Sequence, residues 1–182
     1  MVRALKYHEK KLLKKVDFVN YKSDPSLREN TVMRKYHIQR REDYIKYNQL
    51  CGQVRKISSR LSMLDPQDPL RGKITEAMLD KLYRMGVVTA AKSLSQCEKI
   101  TVSAFCRRRL PIVMVRLKMA ETVKQAVIYV EQGHIRVGPQ TVTDPAYLVS
   151  RNLEDFITWV DTSKIKRKIM KYNDKLDDFD LL

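Results

Sequence analysis

Apolar residues recur every three or four positions through the first half of the chain, which is the spacing of one buried helix face. This pattern predicts a helix from about Val32 to Met63 and a second one from about Lys73 to Met85. Asp65-Pro66 and Asp68-Pro69 separate them, because the residue before a proline is pushed out of helical geometry. Gly86 follows the second helix as a C-terminal cap. The predicted apolar stripe of the first helix is Val54, Ile57, Leu61 and Leu64.

Shorter elements are predicted from Val102 onward. Pro111 suits the first turn of a helix, where the N–H that proline lacks has no partner in any case. Thr122 and Gln125 match a capping box and predict the start of a further helix, which Gly133 ends. The apolar face of that helix is Val123, Ala126, Val127 and Val130. Short strands are predicted at Ile135–Val137, Thr141–Val142 and Phe156–Val160.

These elements predict an α+β protein in three parts. Residues 1–100 form a basic, helical N-terminal region. Residues 101–163 form a compact module of two packed helices and a small antiparallel strand unit. Residues 164–182 form a tail that is first basic and then acidic, and its acidic end is interpreted as a solvated terminus or a partner-binding segment.

The charge balance indicates a polyanionic partner. Lys and Arg number 36 against 21 Asp and Glu, a formal net charge of +15. Such an excess favours RNA, DNA or an anionic membrane face, although a merely soluble basic protein also fits it. The longest apolar run, Leu110 to Val115, is far shorter than the roughly 20 residues that span a bilayer, so no membrane association is expected. Three cysteines without a Cys-x-x-Cys pair favour a reducing compartment, the cytosol or nucleus.

Motifs of catalysis are missing from the sequence. Its five glycines form neither a phosphate-binding loop nor a dinucleotide fingerprint. His8, His37 and His134 are scattered, and none lies at zinc-ligand spacing from a cysteine. No Gly-x-Ser-x-Gly motif occurs. We therefore expect no enzyme activity, no cofactor, no metal and no small-molecule substrate.

Cationic and polar residues gather around the predicted helices of the second half, and we expect them to contact RNA. A helix N-terminus favours a phosphate, and arginine adds bidentate phosphate contacts or stacking on an unpaired base. We expect the residues to converge on one phosphate-docking surface. The candidates are Arg107, Arg108, Arg109, Arg116, Lys118, Thr122, Lys124, Gln125, His134 and Arg136. A nuclear-import signal or a solvated face is the alternative for Arg107–Arg109, and equally for the basic run Lys164–Lys168.

An ordered series of motifs resembles the RNA-binding domain named after small-subunit ribosomal protein S4. It comprises Arg108-Arg109-Leu110, then Arg116-Leu117-Lys118-Met119-Ala120, Thr122 and Ala126, and finally Gly133-His134-Ile135-Arg136-Val137-Gly138. The resemblance implies two helices packed on a small strand-rich unit. It also implies that their outer surface and the following hairpin grip RNA helices and junctions, through the ten candidate residues.

A wider resemblance covers nearly the whole chain. Tyr36–Tyr44, Leu64–Pro69 and Asp144–Val149 are similar to segments of the U3 small nucleolar ribonucleoprotein (snoRNP) members of the S4 family. This implies a non-catalytic, nucleolar assembly factor of the small-subunit processome. The resemblance further implies that such a factor, with two larger partner proteins, promotes pairing between the U3 snoRNA and precursor rRNA for small-subunit rRNA processing. The alternatives are a structural ribosomal protein of the same family and a protein-bridging adaptor, whereas an RNA-modifying enzyme is disfavoured by length and motifs.

Overall fold

The computed structural model describes residues 3–14, 25–91 and 93–175, without the side chains of residues 25–27. The acidic residues predicted to end the tail lie almost entirely outside this range. Within it, the helices are α1 (Tyr7–Leu13), α2 (Pro25–Lys35), α3 (Arg41–Met63), α4 (Pro69–Arg84), α5 (Ser95–Glu98), α6 (Val102–Cys106), α7 (Leu110–Arg116), α8 (Val123–Glu131) and α9 (Lys164–Tyr172). A 3-10 helix covers Arg151–Phe156, and the strands are β1 (Ile135–Val137), β2 (Gln140–Thr141) and β3 (Ile157–Trp159).

The single helix predicted over residues 32–63 is wrong, because the chain breaks between α2 and α3. His37 adopts a φ of +48°, and a left-handed residue ends a helix. The N–H of His37 donates to the carbonyl of Arg34, and the N–H of Ile38 donates to that of Met33 at 2.9 Å. These two bonds form a Schellman closure, which places the side chain of Ile38 in the core. A histidine in the position usually taken by glycine gave no sequence signal for this end.

The buried face of α3 is also rotated from the predicted stripe. Leu61 is buried as expected, but Ile57 and Leu64 are exposed. The residues that α3 buries are Tyr47, Cys51, Ser58 and Leu61. This face packs against α5 and α6, and the Ser58 hydroxyl donates to the Leu94 carbonyl at 3.3 Å. A buried serine with a backbone partner therefore occupies a position that an apolar pattern does not reveal.

The second half forms the predicted helix pair and sheet, which confirms the α+β class. Helices α7 and α8 pack on each other, and Ala126, Val127 and Val130 are buried on α8 as the pattern predicts. The sheet has the strand order β2-β1-β3 and is antiparallel throughout. On the central strand, Arg136 pairs with Thr141 on one side and Thr158 on the other. Helix α9, which the sequence analysis did not predict, follows the sheet.

Two hydrophobic clusters divide the described residues near position 108. The first joins α3, α4 and α6 through residues such as Tyr47, Leu82 and Phe105. The second lies between α7, α8 and the sheet, around Val130 and Ile135. The finer division into residues 1–100, 101–163 and 164–182 stays a prediction. Within the described ranges no helix is both long and apolar enough to cross a membrane.

Replacing Gly86 with alanine should lower the free energy of unfolding by about 2 kcal/mol. Gly86 ends α4 as predicted, with a φ of +72°, and a Cβ there would meet Nε of Arg108 at 2.7 Å. Chemical denaturation measures the loss. The control is Gly72→Ala inside α4, where a Cβ meets nothing within 4 Å and where alanine should stabilise by about 0.5–1 kcal/mol. Equal effects of the two substitutions would contradict the role of Gly86.

Candidate RNA interface

Arg108 lies in the interior, where its guanidinium is fully engaged. The residue is 5% exposed, and Nε and Nη2 donate to the Val149 carbonyl at 2.9 and 2.7 Å. Nη1 pairs with the Glu154 carboxylate at 3.0 Å. Burial, followed by the nearby positive charge of Arg151, lowers the pKa of Arg108. The side chain is thus a structural cation whose partners are supplied by the protein itself.

Arg109 is buried as well, at 2% exposure. Its Nη1 lies 3.4 Å from the Asp43 carboxylate at the start of α3, and the residue lines a polar cavity of about 410 Å³ with Gln39 and Glu131. Arg108 and Arg109 therefore face into the protein. Their burial weighs against a direct phosphate contact, and the expectation that Arg108 and Arg109 contact RNA stays a prediction.

Five of the candidate residues collect at one end of the α7–α8 pair. The chain turns between the end of α7 and the start of α8, so both ends lie together. All five residues are exposed. We call this group the turn cluster: Arg116, Lys118, Thr122, Lys124 and Gln125.

Local geometry explains how the turn cluster is presented. Lys118 adopts a φ of +59° in the connection, and the Thr122 hydroxyl accepts a hydrogen bond from the Gln125 N–H at 3.3 Å, which caps α8. Arg116 pairs with Glu154, yet its side chain remains 51% exposed. The free N–H groups at the start of α8 add a partial positive charge beside Lys124. Cations and a helix N-terminus therefore face solvent together, an arrangement that suits a phosphate backbone.

His134 and Arg136 lie beyond the other end of α8. Helix α8 has nine residues and is about 14 Å long, with the turn cluster around its start and these two residues after its end. His134 Nδ1 lies 3.0 Å from the Ser163 hydroxyl. Arg136 donates to Thr158 Oγ1 at 3.0 Å and pairs with Asp161 at 2.7 Å. We call these two residues the hairpin cluster. The candidate residues therefore form two groups, an exposed one at the start of α8 and a half-buried one beyond its end.

Arg107 stands apart from both clusters. It is exposed at the end of α6 and lines a cavity of about 260 Å³ together with Lys99 and Gln96. Of the arginine triplet, it is thus the only member that faces solvent in the described structure.

Sequence reasoning missed the acidic residues that hold these arginines. Glu154 bridges Arg108 and Arg116, and Asp161 bridges Arg136 and Lys166. Both acids are distant in sequence from at least one of their partners, so no local pattern indicates the pairing. Helix α9 did carry a signal, since its cations recur at helical spacing.

The buried thiol and phenol groups with raised pKa values are poorly suited to catalysis. Burial raises the pKa of the Cys106 thiol to about 11, and a thiol protonated at neutral pH is a poor nucleophile. Burial likewise raises the pKa of Tyr47 to about 12. In the part of the chain that the structure describes, no group of three His, Cys, Asp or Glu side chains could hold a metal ion.

Comparison with known protein families identifies the two halves. Residues 4–107 match the ribosomal protein S4/S9 N-terminal domain, and residues 108–155 match the S4 domain. Fold and sequence thus define a protein of the S4 class. This confirms the first resemblance that the motifs carried.

Relatives that span the whole chain specify the family further. A protein of Saccharomyces cerevisiae named U3 small nucleolar ribonucleoprotein protein IMP3 is 59% identical over 99% of this chain and 99% of its own length. The human protein of that name is 55% identical over 100% of this chain and 99% of its own. The small ribosomal subunit protein uS4 of Caldivirga maquilingensis is 35% identical, over 53% of this chain and 54% of its own. The chain belongs to the family of U3 small nucleolar ribonucleoprotein proteins.

The structural role of the buried Arg108 can be tested by comparing it with its exposed neighbour Arg107. Arg108→Leu should lower the free energy of unfolding by about 3 kcal/mol, because Glu154 and the Val149 carbonyl lose their partner. Arg107→Leu removes the same charge from an exposed neighbour and should change stability by less than about 0.5 kcal/mol. Urea denaturation followed by tryptophan fluorescence measures both. If the two variants unfold at the same urea concentration, the guanidinium of Arg108 is not a structural element.

Proposed function

We propose that the chain is a non-catalytic RNA-binding assembly factor of a U3 snoRNP, which promotes pairing between the U3 snoRNA and precursor rRNA during small-subunit rRNA processing. In this proposal it acts in the nucleolus, within the small-subunit processome and with two larger partner proteins. The observation that carries the assignment is the identity of 54–59% with U3 snoRNP proteins of yeast, mouse and human over essentially the whole chain.

The same comparison weighs against a ribosomal protein that remains in the mature subunit. Identity with uS4 proteins is 30–35% and covers 53–61% of the chain. We therefore regard the S4 fold as the scaffold that this chain shares with uS4 proteins.

The turn cluster supplies a physical mechanism for pairing. Two RNA strands repel each other through their phosphates, and cations that neutralise both backbones lower this repulsion. Lys118 and Lys124 are exposed and, within the described residues, form no ion pair, so both charges are available to phosphates. Arg116 shares Glu154 with the buried Arg108. The acid thus fixes the orientation of Arg116 while part of its side chain stays in solvent.

The protein-bridging adaptor is a second candidate, because a cationic surface also fits an acidic protein. The exposed N-terminus of α8 beside Lys124 favours RNA, since phosphates are recognised by just such a combination. Binding of isolated RNA at moderate salt separates the two readings. An adaptor binds its protein partners under those conditions and leaves the RNA free.

Reversing two charges of the turn cluster should slow strand pairing. We expect Lys118→Glu with Lys124→Glu to lower the rate of annealing between a U3 snoRNA segment and its complementary precursor rRNA segment by about tenfold or more, because phosphate neutralisation is lost. A fluorescence-quenching assay with two labelled strands measures the rate. The control is Lys46→Glu with Lys56→Glu, which makes the same charge change on the exposed face of α3. Equal rates for the two double variants would contradict a role of the turn cluster in pairing.

Sedimentation separates an assembly factor from a ribosomal protein. A tagged copy of the chain should co-sediment with precursor particles that contain the U3 snoRNA, and it should be absent from mature small subunits and polysomes. Gradient fractions probed for the tag and for both RNAs give the answer. Stoichiometric presence in polysomes would show that the chain is a component of the finished subunit.

A further inference from the structure

Helix α9 presents a row of cations that the S4 domain match does not include. It follows residue 155, where the match ends, and its sequence is KIKRKIMKY. Four of its cations recur at i, i+3, i+4 and i+7, which places them on one face of a helix. These are Lys164, Arg167, Lys168 and Lys171, and all four are exposed. Within the described residues, the ion pair of this helix is made by Lys166 instead.

Two contacts attach α9 to the hairpin cluster. The Ser163 hydroxyl accepts a hydrogen bond from the Ile165 N–H at 3.3 Å, which caps the helix, and it lies 3.0 Å from His134 Nδ1. The Asp161 carboxylate lies between Arg136, at 2.7 Å, and Lys166, at 2.5 Å. The same pair of contacts therefore fixes the start of α9 beside His134 and Arg136.

The contacts of Asp161 also determine which cations near the start of α9 are paired with an acid. The hydrogen bond from Lys166, with the charge of Arg136, lowers the pKa of Asp161 below its usual 3.8. Asp161 is therefore ionised at neutral pH, and its negative charge is paired with Lys166 and Arg136. The four cations on the outer face of α9 have no such acid among the described residues, so their charge is directed to solvent.

We propose that α9 is a second phosphate-binding element, which extends the RNA surface from the hairpin cluster beyond the S4 domain. Lys164 and Lys171 lie about 10 Å apart along the helix axis, far enough to contact more than one phosphate of a strand. The proposal rests on the RNA-binding function argued above and adds a binding element to it. RNA is the occupant that the position favours, because the helix begins against two residues of the candidate RNA surface.

An exposed aromatic residue adds to the phosphate contacts. Tyr172 closes α9 at 88% exposure, and it lies four residues after Lys168, on the same side of the helix. Single-stranded RNA is bound by cations that follow its backbone and by aromatic rings on which bases stack. In this proposal the ring of Tyr172 stacks on an unpaired base while the neighbouring lysines contact its phosphates.

The test compares RNA affinity over a series of salt concentrations, using the full chain so that the acidic residues after α9 are present. The α9 variant carries Lys164→Gln, Arg167→Gln, Lys168→Gln and Lys171→Gln, since glutamine keeps helix propensity. The control variant carries Lys46→Gln, Lys56→Gln, Arg60→Gln and Lys73→Gln on α3 and α4, which removes the same charge from other exposed positions. The probe is a fluorescein-labelled RNA hairpin with single-stranded flanks, followed by anisotropy.

We expect the α9 variant to bind about tenfold more weakly at 150 mM salt. Its plot of log affinity against log salt should be less steep by about 2 to 4, because each lost phosphate contact removes nearly one unit of slope. The control variant should retain the slope of the unaltered protein. Tyr172→Ala should weaken binding several-fold and leave the slope unchanged, since stacking releases no counterions.

Three results overturn the inference. The α9 variant could keep the original slope, or the control could lose as much as the α9 variant, which would assign the effect to net charge. The third result would be that the double variant Lys118→Glu with Lys124→Glu loses RNA binding, whereas the α9 variant binds normally. In these cases the proposed function stands and only the role of α9 fails. If the unaltered protein shows no salt-dependent binding of the hairpin, the proposed function fails with it.

A milder variant controls for a folding defect. Lys168→Gln with Lys171→Gln removes half of the charges and should give about half the change in slope.

Discussion

The buried guanidinium of Arg108, with the polar partners that it requires, lies where the two halves of the protein meet. It lies against the Gly86 turn of the N-terminal half and donates to Val149 and Glu154 of the S4 domain. The backbone closes the same junction, since the Val149 N–H donates to the Arg108 carbonyl at 2.8 Å. A buried charge of this kind persists only with its partners in place. The polar partners of Arg108 thus lie within the S4 domain, and its contact with the N-terminal half is the packing of its guanidinium against Gly86.

Neighbouring arginines reinforce this junction. Arg109 reaches Asp43 on α3. Arg151 donates to the Val88 carbonyl at 2.8 Å and lies 4.1 Å from the ring centre of Tyr83. Arginine suits these positions because its planar fork serves several acceptors at once and also stacks on rings. A part of the large positive charge is thus paired inside the protein, and the proposed RNA surface uses other cations.

Burial, rather than residue type, separates the structural cations from those proposed to contact RNA. Arg107, Arg108 and Arg109 are consecutive in the chain, yet only Arg107 is exposed among them. The turn cluster owes its exposure to the α7–α8 connection, where Lys118 adopts a left-handed conformation. Glu154 links the two kinds of cation, because it pairs with both the buried Arg108 and the exposed Arg116. The junction that joins the halves therefore also orients part of the proposed RNA surface.

Local signals in the sequence were enough to predict much of this fold. The Thr122 cap, the apolar face of α8 and the positions of the three strands depend on residues close together in the chain. The break at His37 was missed because a histidine closes a motif that glycine usually closes. The burial of Arg108 and Arg109 was missed for a different reason. Their partners Val149, Glu154 and Asp43 lie 41, 46 and 66 residues away, and such pairs leave no periodic trace.

Helix α9 shows the opposite case. The helical spacing of its cations is visible in the sequence, but the segment was interpreted only as a basic run. A run of cations is compatible with an import signal, a solvated face or a helix. The three-dimensional arrangement adds that the run is a helix, which Ser163 and Asp161 attach to the hairpin cluster.

Lysine footprinting tests the central claim most directly, namely that exposed lysines at the α7–α8 turn, and not the arginine triplet as a whole, form the RNA surface. The full chain is acetylated with and without bound U3 snoRNA, and mass spectrometry measures modification at each lysine. The account predicts that RNA protects Lys118 and Lys124, whereas Lys46 and Lys56 on α3 react equally in both samples. Undiminished acetylation of Lys118 and Lys124 in the RNA-bound protein would contradict it.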